Sequence, residues 1–138
     1  MDDSHFYILD DGMNPIPCDA HTWVMWREQH ELHVFLDTVQ RGEMVVEVST
    51  VFLGLNHQWG VGPPLIFETL VFLNEPWYDE SSETWWPETA IDNSRRRYST
   101  KAEALAGHAE VLAVVVDLLV GMPVAEAKQL LLTEGKNR

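Results

Sequence analysis

Apolar and polar positions along the chain switch between a period near two and a period near 3.6. Phe6 to Leu9 is a short aromatic and aliphatic run closed by Asp10-Asp11-Gly12, a turn signal, and predicts a first or edge strand. Asn14-Pro15-Ile16-Pro17 cannot lie inside a helix, because two prolines fix φ and remove donors. Asp19 suits the N-cap of a short helix over Ala20 to Gln29. Trp23 and Trp26 share one face of that helix and are expected to pack on the core. Leu32 to Val39 alternates, with Leu32, Val34, Leu36 and Thr38 on one side and His33 and Asp37 on the other. Gln40-Arg41-Gly42-Glu43 reads as a hairpin turn. Met44 to Leu55 starts half-wet at Glu47 and Ser49 and becomes apolar on both faces by Val51-Phe52-Leu53, as a strand running under another element does. Leu65 to Leu73 is a third strand, apolar except for Glu68 and Thr69. Three sequential strands with short links predict an antiparallel meander.

Past residue 98 the period becomes helical. Thr100-Lys101-Ala102-Glu103 fits a capping box, with Ser99 as a competing cap. Ala102, Leu105, Ala109, Leu112, Val116 and Leu119 form the expected buried stripe, and Gly121 ends the helix. Pro123 can open a second helix over roughly Val124 to Leu132. Between strand and helix, residues 74–94 hold six acids, no Lys or Arg, and Trp77, Tyr78, Trp85 and Trp86. No period is sustained there, which predicts a long loop or insertion. The expected fold is a single α+β domain over 1–138 in two layers. An antiparallel sheet of about four strands packs against a long C-terminal helix, Ser99 to Val120, with a short N-terminal helix.

Composition narrows the functional classes. The 138 residues carry 9 Lys+Arg against 22 Asp+Glu, a net charge of −13. A chain so acidic lacks the basic surface that binds phosphates or anionic lipid, so direct nucleic-acid and membrane binding are not expected. Its longest apolar-rich stretch, Val111 to Val120, is about half of what a membrane helix needs. A single cysteine, Cys18, makes no intrachain disulfide, and the acidic opening Met1-Asp2-Asp3 lacks the basic and apolar pattern of a signal peptide. The expected location is the cytoplasm. Cys18 reads as a passive small residue.

Val48-Ser49-Thr50-Val51-Phe52-Leu53-Gly54-Leu55-Asn56-His57 leads through Gly62-Pro63-Pro64 into Leu65-Ile66-Phe67-Glu68-Thr69-Leu70-Val71-Phe72. Further on, Arg97-Tyr98-Ser99-Thr100 opens a helix containing Ala106-Gly107-His108. This pattern resembles a recurrent family of small proteins encoded by tailed phages and prophages, over most of residues 6–115. The chain departs from it at Asn56, where Asp is common, and in the longer 74–94 segment. The resemblance implies a phage-encoded protein of the host cytoplasm and implies no chemistry.

Several residues invite a chemical reading, and each has a structural alternative. From Gly42 to Ser94 there are nine acids and no Lys or Arg. Trp77, Tyr78, Asp79, Glu80, Glu83, Trp85 and Trp86 suit docking on a basic protein patch, the rings supplying area and the acids steering encounter. The alternative is solubility, with the rings folded back on the core. Arg95-Arg96-Arg97 precedes the helix and could hold an anion, such as a nucleotide or other sequestered small molecule, or could neutralise nearby acids. Glu68, in the middle of an apolar strand, must be paired: with His57, with His108, or with an arginine of the cluster. His57, Glu68 and His108 are the weak candidates for a hydrolase or metal site, against a structural hydrogen bond. His30-Glu31-Leu32-His33 does not match a zinc-protease pattern. No cofactor or metal is expected. The leading expectation is a non-catalytic accessory protein with a basic protein partner, the surplus of Trp and apolar residues leaving homodimerisation open.

Overall fold

The computed structural model of the chain describes residues 5–56, 62–121, 123 and 125–129. Strand β1 (Phe6–Leu9) pairs antiparallel with β2 (Pro15–Cys18), so the proline-rich segment is extended and carries a ladder of its own. The turn between them is fixed by Asp10, whose Oδ1 accepts the Gly12 and Asn14 amides at 2.9 and 2.8 Å. Helix α1 (Ala20–Glu28) starts as expected, the Asp19 carboxylate accepting the Thr22 amide at 2.7 Å. None of its residues is fully buried; Trp23 and Trp26 are partly covered.

The main sheet holds four antiparallel strands in the order β3-β4-β5-β8, formed by β3 (His33–Arg41), β4 (Met44–Phe52), β5 (Phe67–Leu73) and β8 (Thr89–Tyr98). The meander of β3, β4 and β5 is as expected. Gly42 turns β3 into β4 with φ 61°, which a residue without Cβ adopts at no steric cost. The segment expected to be a long loop is instead mostly strand. Trp77–Asp79 (β6) and Thr84–Trp86 (β7) form a two-stranded hairpin, and β8 begins at Thr89. Alternating polarity did not mark it because both faces of the hairpin meet solvent, which removes the period-two signal.

Helix α2 (Lys101–Gly121) lies across one face of this sheet. Its capping box is in place, the Thr100 hydroxyl accepting the Glu103 amide at 3.1 Å. The buried stripe is not the expected one. Ala104, Gly107, His108, Val111, Val115 and Leu119 face the sheet, whereas Ala102, Leu105, Ala109 and Val116 are exposed. The helix is apolar nearly all round, so the period alone does not choose a face. Pairing of His108 and close packing at Gly107 do. By length and composition α2 could span a bilayer, but a third of its apolar window is buried inside the fold.

The same kind of correction applies to β3. A register shift between His33 and Phe35 breaks the simple alternation. Leu36 is half exposed and Asp37 reaches His108 on the helix side, the reverse of the expected arrangement. The core divides in two. Met44, Val46, Val71, Leu73, Val115 and Leu119 belong to one cluster; Phe52, Ile66, Phe67 and Ala104 belong to the other. Fully burying each large side chain contributes about 1.5–3 kcal/mol. Between the two clusters lies a polar layer of Thr50, Thr69 and His108. Residues 125–129 are helical and seat Ala127 in the first cluster; the rest of the expected second helix lies outside the described residues. No cis peptide occurs at Pro64.

Candidate functional site

Strand geometry separates the candidate acid and base. Glu68 and Thr69 are neighbours on β5 and therefore point to opposite faces. Glu68 lies on the face away from α2, opposite Arg97 in the register. Its carboxylate accepts the Arg97 Nε–H at 2.9 Å, with the Arg95 Nε at 3.7 Å. This answers the requirement that a buried carboxylate be paired, with the arginine cluster as the partner. His108 sits on the helix side, 4 % exposed. His57 lies outside the described residues. Glu68 and His108 are thus not brought together, and no group of three or more His, Cys, Asp or Glu able to hold a metal is found among the described residues.

His108 has other partners. Its Nε2 is 2.7 Å from Asp37 Oδ2, and its Nδ1 is 2.8 Å from Thr50 Oγ1, which in turn meets Thr69 Oγ1. A carboxylate accepts, so Nε2 donates. In the neutral ring Nδ1 then accepts the Thr50 hydroxyl proton. The order carboxylate, imidazole, hydroxyl is that of a nucleophile relay. Thr50 and Thr69 are both fully buried, so no substrate reaches the hydroxyl. The network satisfies polar groups in the middle of the core.

The arginine triplet lies within β8 and not in a loop ahead of the helix. Alternation sends Arg96 to the helix side, where it pairs with Glu110 of α2 at 2.7 Å, and Arg95 and Arg97 to Glu68. The charges therefore tie strand to helix and strand to strand. Arg96 faces away from Arg95 and Arg97, which share the Glu68 carboxylate, so the triplet does not present three guanidinium groups to one outside anion.

The acidic aromatic residues gather on one hairpin. On the hairpin, Trp77 stands opposite Trp86, Tyr78 opposite Trp85, and Asp79 opposite Thr84. The rings are not folded back on the core: Trp77, Tyr78, Trp85 and Trp86 are 44, 44, 66 and 47 % exposed. Tyr78 and Trp85 touch at a centroid distance of 5.4 Å, and Trp77 Nε1–H donates to the Glu88 carbonyl at 2.9 Å, anchoring the hairpin base. Glu83 occupies the turn with φ 54°, and Glu80 is exposed beside it. The Asp79 carboxyl is held below the usual range, chiefly by the Ser81 hydroxyl, so it remains an anion. The two aromatic pairs alternate across the hairpin, Trp77 with Trp86 on one face and Tyr78 with Trp85 on the other, so each face carries an exposed pair of rings, with Glu80 and Glu83 at the turn.

One concave region was missed by sequence reading. Trp26 packs on the core as expected, edge-on to Phe52, while Trp23, also partly covered, lines a cavity of about 430 Å³ at the junction of α1, β3 and β4. Arg27 lies over the Trp23 ring at 4.7 Å. The i, i+4 spacing of Trp23 and Arg27 on a helix was the available signal. Burial and then the neighbouring Asp19 charge push the Cys18 thiol up, which disfavours the thiolate. In the comparisons with known proteins, no family model, no curated protein and no solved structure matches this chain.

Proposed function

We propose that the protein is a non-catalytic accessory protein that docks on a basic protein surface through the β6–β7 hairpin. The observation that carries this reading is the set of four half-exposed aromatic rings held in cross-strand pairs. Exposing such rings costs solvation free energy that folding them onto the core would recover. Aromatic residues on a rigid hairpin supply contact area with little entropy to lose, and the surrounding carboxylates favour a cationic partner. The resemblance to phage-encoded proteins makes a host protein with a nucleic-acid-binding basic face the partner class.

The test is affinity capture from host lysate with the wild-type chain and with a Trp85→Ala/Trp86→Ala/Glu83→Ala variant. The expected result is loss of one or more basic partners from the variant, and weaker capture by wild type as salt rises, since exposed charges are screened within about 8–10 Å at physiological ionic strength. Identical partner sets for the two proteins overturn the proposal.

A further inference from the structure

The cavity beside α1 has a built chemistry of its own. Leu32, Val51, Phe52, Leu53 and Leu55 give it an apolar wall. Trp23 presents only its ring, because its Nε1–H already donates to the Leu53 carbonyl at 3.2 Å. The polar groups at the rim are Arg27, His30, Glu31 and His33. Three of these are already engaged. His30 Nδ1 lies 2.7 Å from the Trp26 carbonyl, so that nitrogen carries the proton, and the ring stacks on Trp26 at 4.3 Å. Glu31 Oε1 takes both the His33 amide at 3.1 Å and His33 Nδ1 at 2.8 Å, and these bonds hold its carboxyl below the usual range.

Arg27 differs. In a chain of net charge −13 its guanidinium pairs with no carboxylate among the described residues, and lies over Trp23. A guanidinium held over an indole by cation–π attraction spends its charge on the ring face and leaves its N–H edge for another partner. That edge matches a carboxylate, which it can bind through two parallel N–H···O bonds. One arginine offsets one charge. A dianionic head group would meet the Glu31 carboxylate at the same rim with its second charge unmatched. The volume lies at the lower end of the ~300–1,000 Å³ common for small-molecule pockets, with the apolar lining and few polar groups typical of them.

We propose that this cavity binds a small monocarboxylate with an apolar body, its carboxylate on Arg27 and its body against Leu32, Val51 and Leu55. This site is separate from the hairpin and does not depend on the function proposed for it.

The test is isothermal titration calorimetry with 1-naphthoate and octanoate, against 1-naphthamide and octanamide as uncharged analogues. Wild type is expected to bind a carboxylate at least tenfold more tightly than its amide. Arg27→Gln is expected to weaken carboxylate binding at least tenfold and to leave the amide unchanged, with Arg27→Lys recovering part of the loss. Circular dichroism checks the fold of each variant. The Trp85→Ala/Trp86→Ala/Glu83→Ala hairpin variant is expected to bind the carboxylate as wild type does, so the two proposals fail or stand separately. Equal affinity for acid and amide, unchanged binding by Arg27→Gln, or no binding of any probe by wild type overturns the proposal.

Discussion

Tyr98 and Gly107 form one packing unit. The Tyr98 hydroxyl is buried without a hydrogen-bond partner among the described residues, and a Cβ on Gly107 would run into the tyrosine ring. Tyr98→Phe removes a desolvated hydroxyl that gains nothing in return. The expected effect on unfolding free energy is between none and about 1–2 kcal/mol of stabilisation. Gly107→Ala forces the ring or the helix to move and is expected to destabilise by about 1–3 kcal/mol. Urea unfolding of the two variants checks both signs. A reading of the sequence could pair Glu68 with the arginines, since a carboxylate inside an apolar strand must find a cation. It could not place Asp37 against His108. That contact depends on a register shift in β3, and a shift of one position exchanges the faces of a strand.

At the scale of elements, α1 is fixed by its cap together with the partial burial of Trp23 and Trp26. The Thr22 side chain and then the Thr22 amide hold the Asp19 carboxyl below the usual aspartate range near about 4. A folded-state value below the unfolded one means that the cap stabilises fully above the unfolded value. The contribution is lost as pH falls through the depressed one. Asp19→Asn keeps a capping oxygen that does not titrate. Wild type is therefore expected to lose stability relative to Asp19→Asn as pH drops below the ordinary aspartate range, and Asp19→Ala to be weaker than both at neutral pH. Thermal unfolding followed by far-UV circular dichroism between pH 6 and pH 2 measures the crossing. For α2 the sequence announced the helix and its capping box plainly. It did not announce the buried side, because Leu105, Val114 and Val120 are as apolar as the residues that are covered. The strand β8 was hidden for a different reason. Its irregular pairing with β5 between Thr69 and Val71 interrupts any regular alternation.

At the scale of the molecule, the hairpin is an appendage on a complete sheet. Among the described residues strands β6 and β7 pair only with each other, and the Thr89 hydroxyl donating to the Glu75 carbonyl at 2.6 Å closes the base beneath them. Replacing residues 76–88 with a short Gly/Ser link is expected to leave the circular dichroism of the sheet and helix in place. The melting temperature should stay within about 5 °C. A collapse of the cooperative transition would instead make the hairpin part of the core.

The sequence by itself determined the α+β class, the meander, the cap positions of both helices and the concentration of acids and aromatic rings in one segment. These follow from local signals: turn residues, alternation, capping side chains and composition. Only the tertiary structure decided which face of α2 is buried, that the arginine triplet alternates between Glu68 and Glu110, and that the 74–94 rings stand exposed in pairs. It also decided that Trp23 and Arg27 border a cavity. Each of these depends on what a residue meets from a distant part of the chain, and neither period nor composition records that partner.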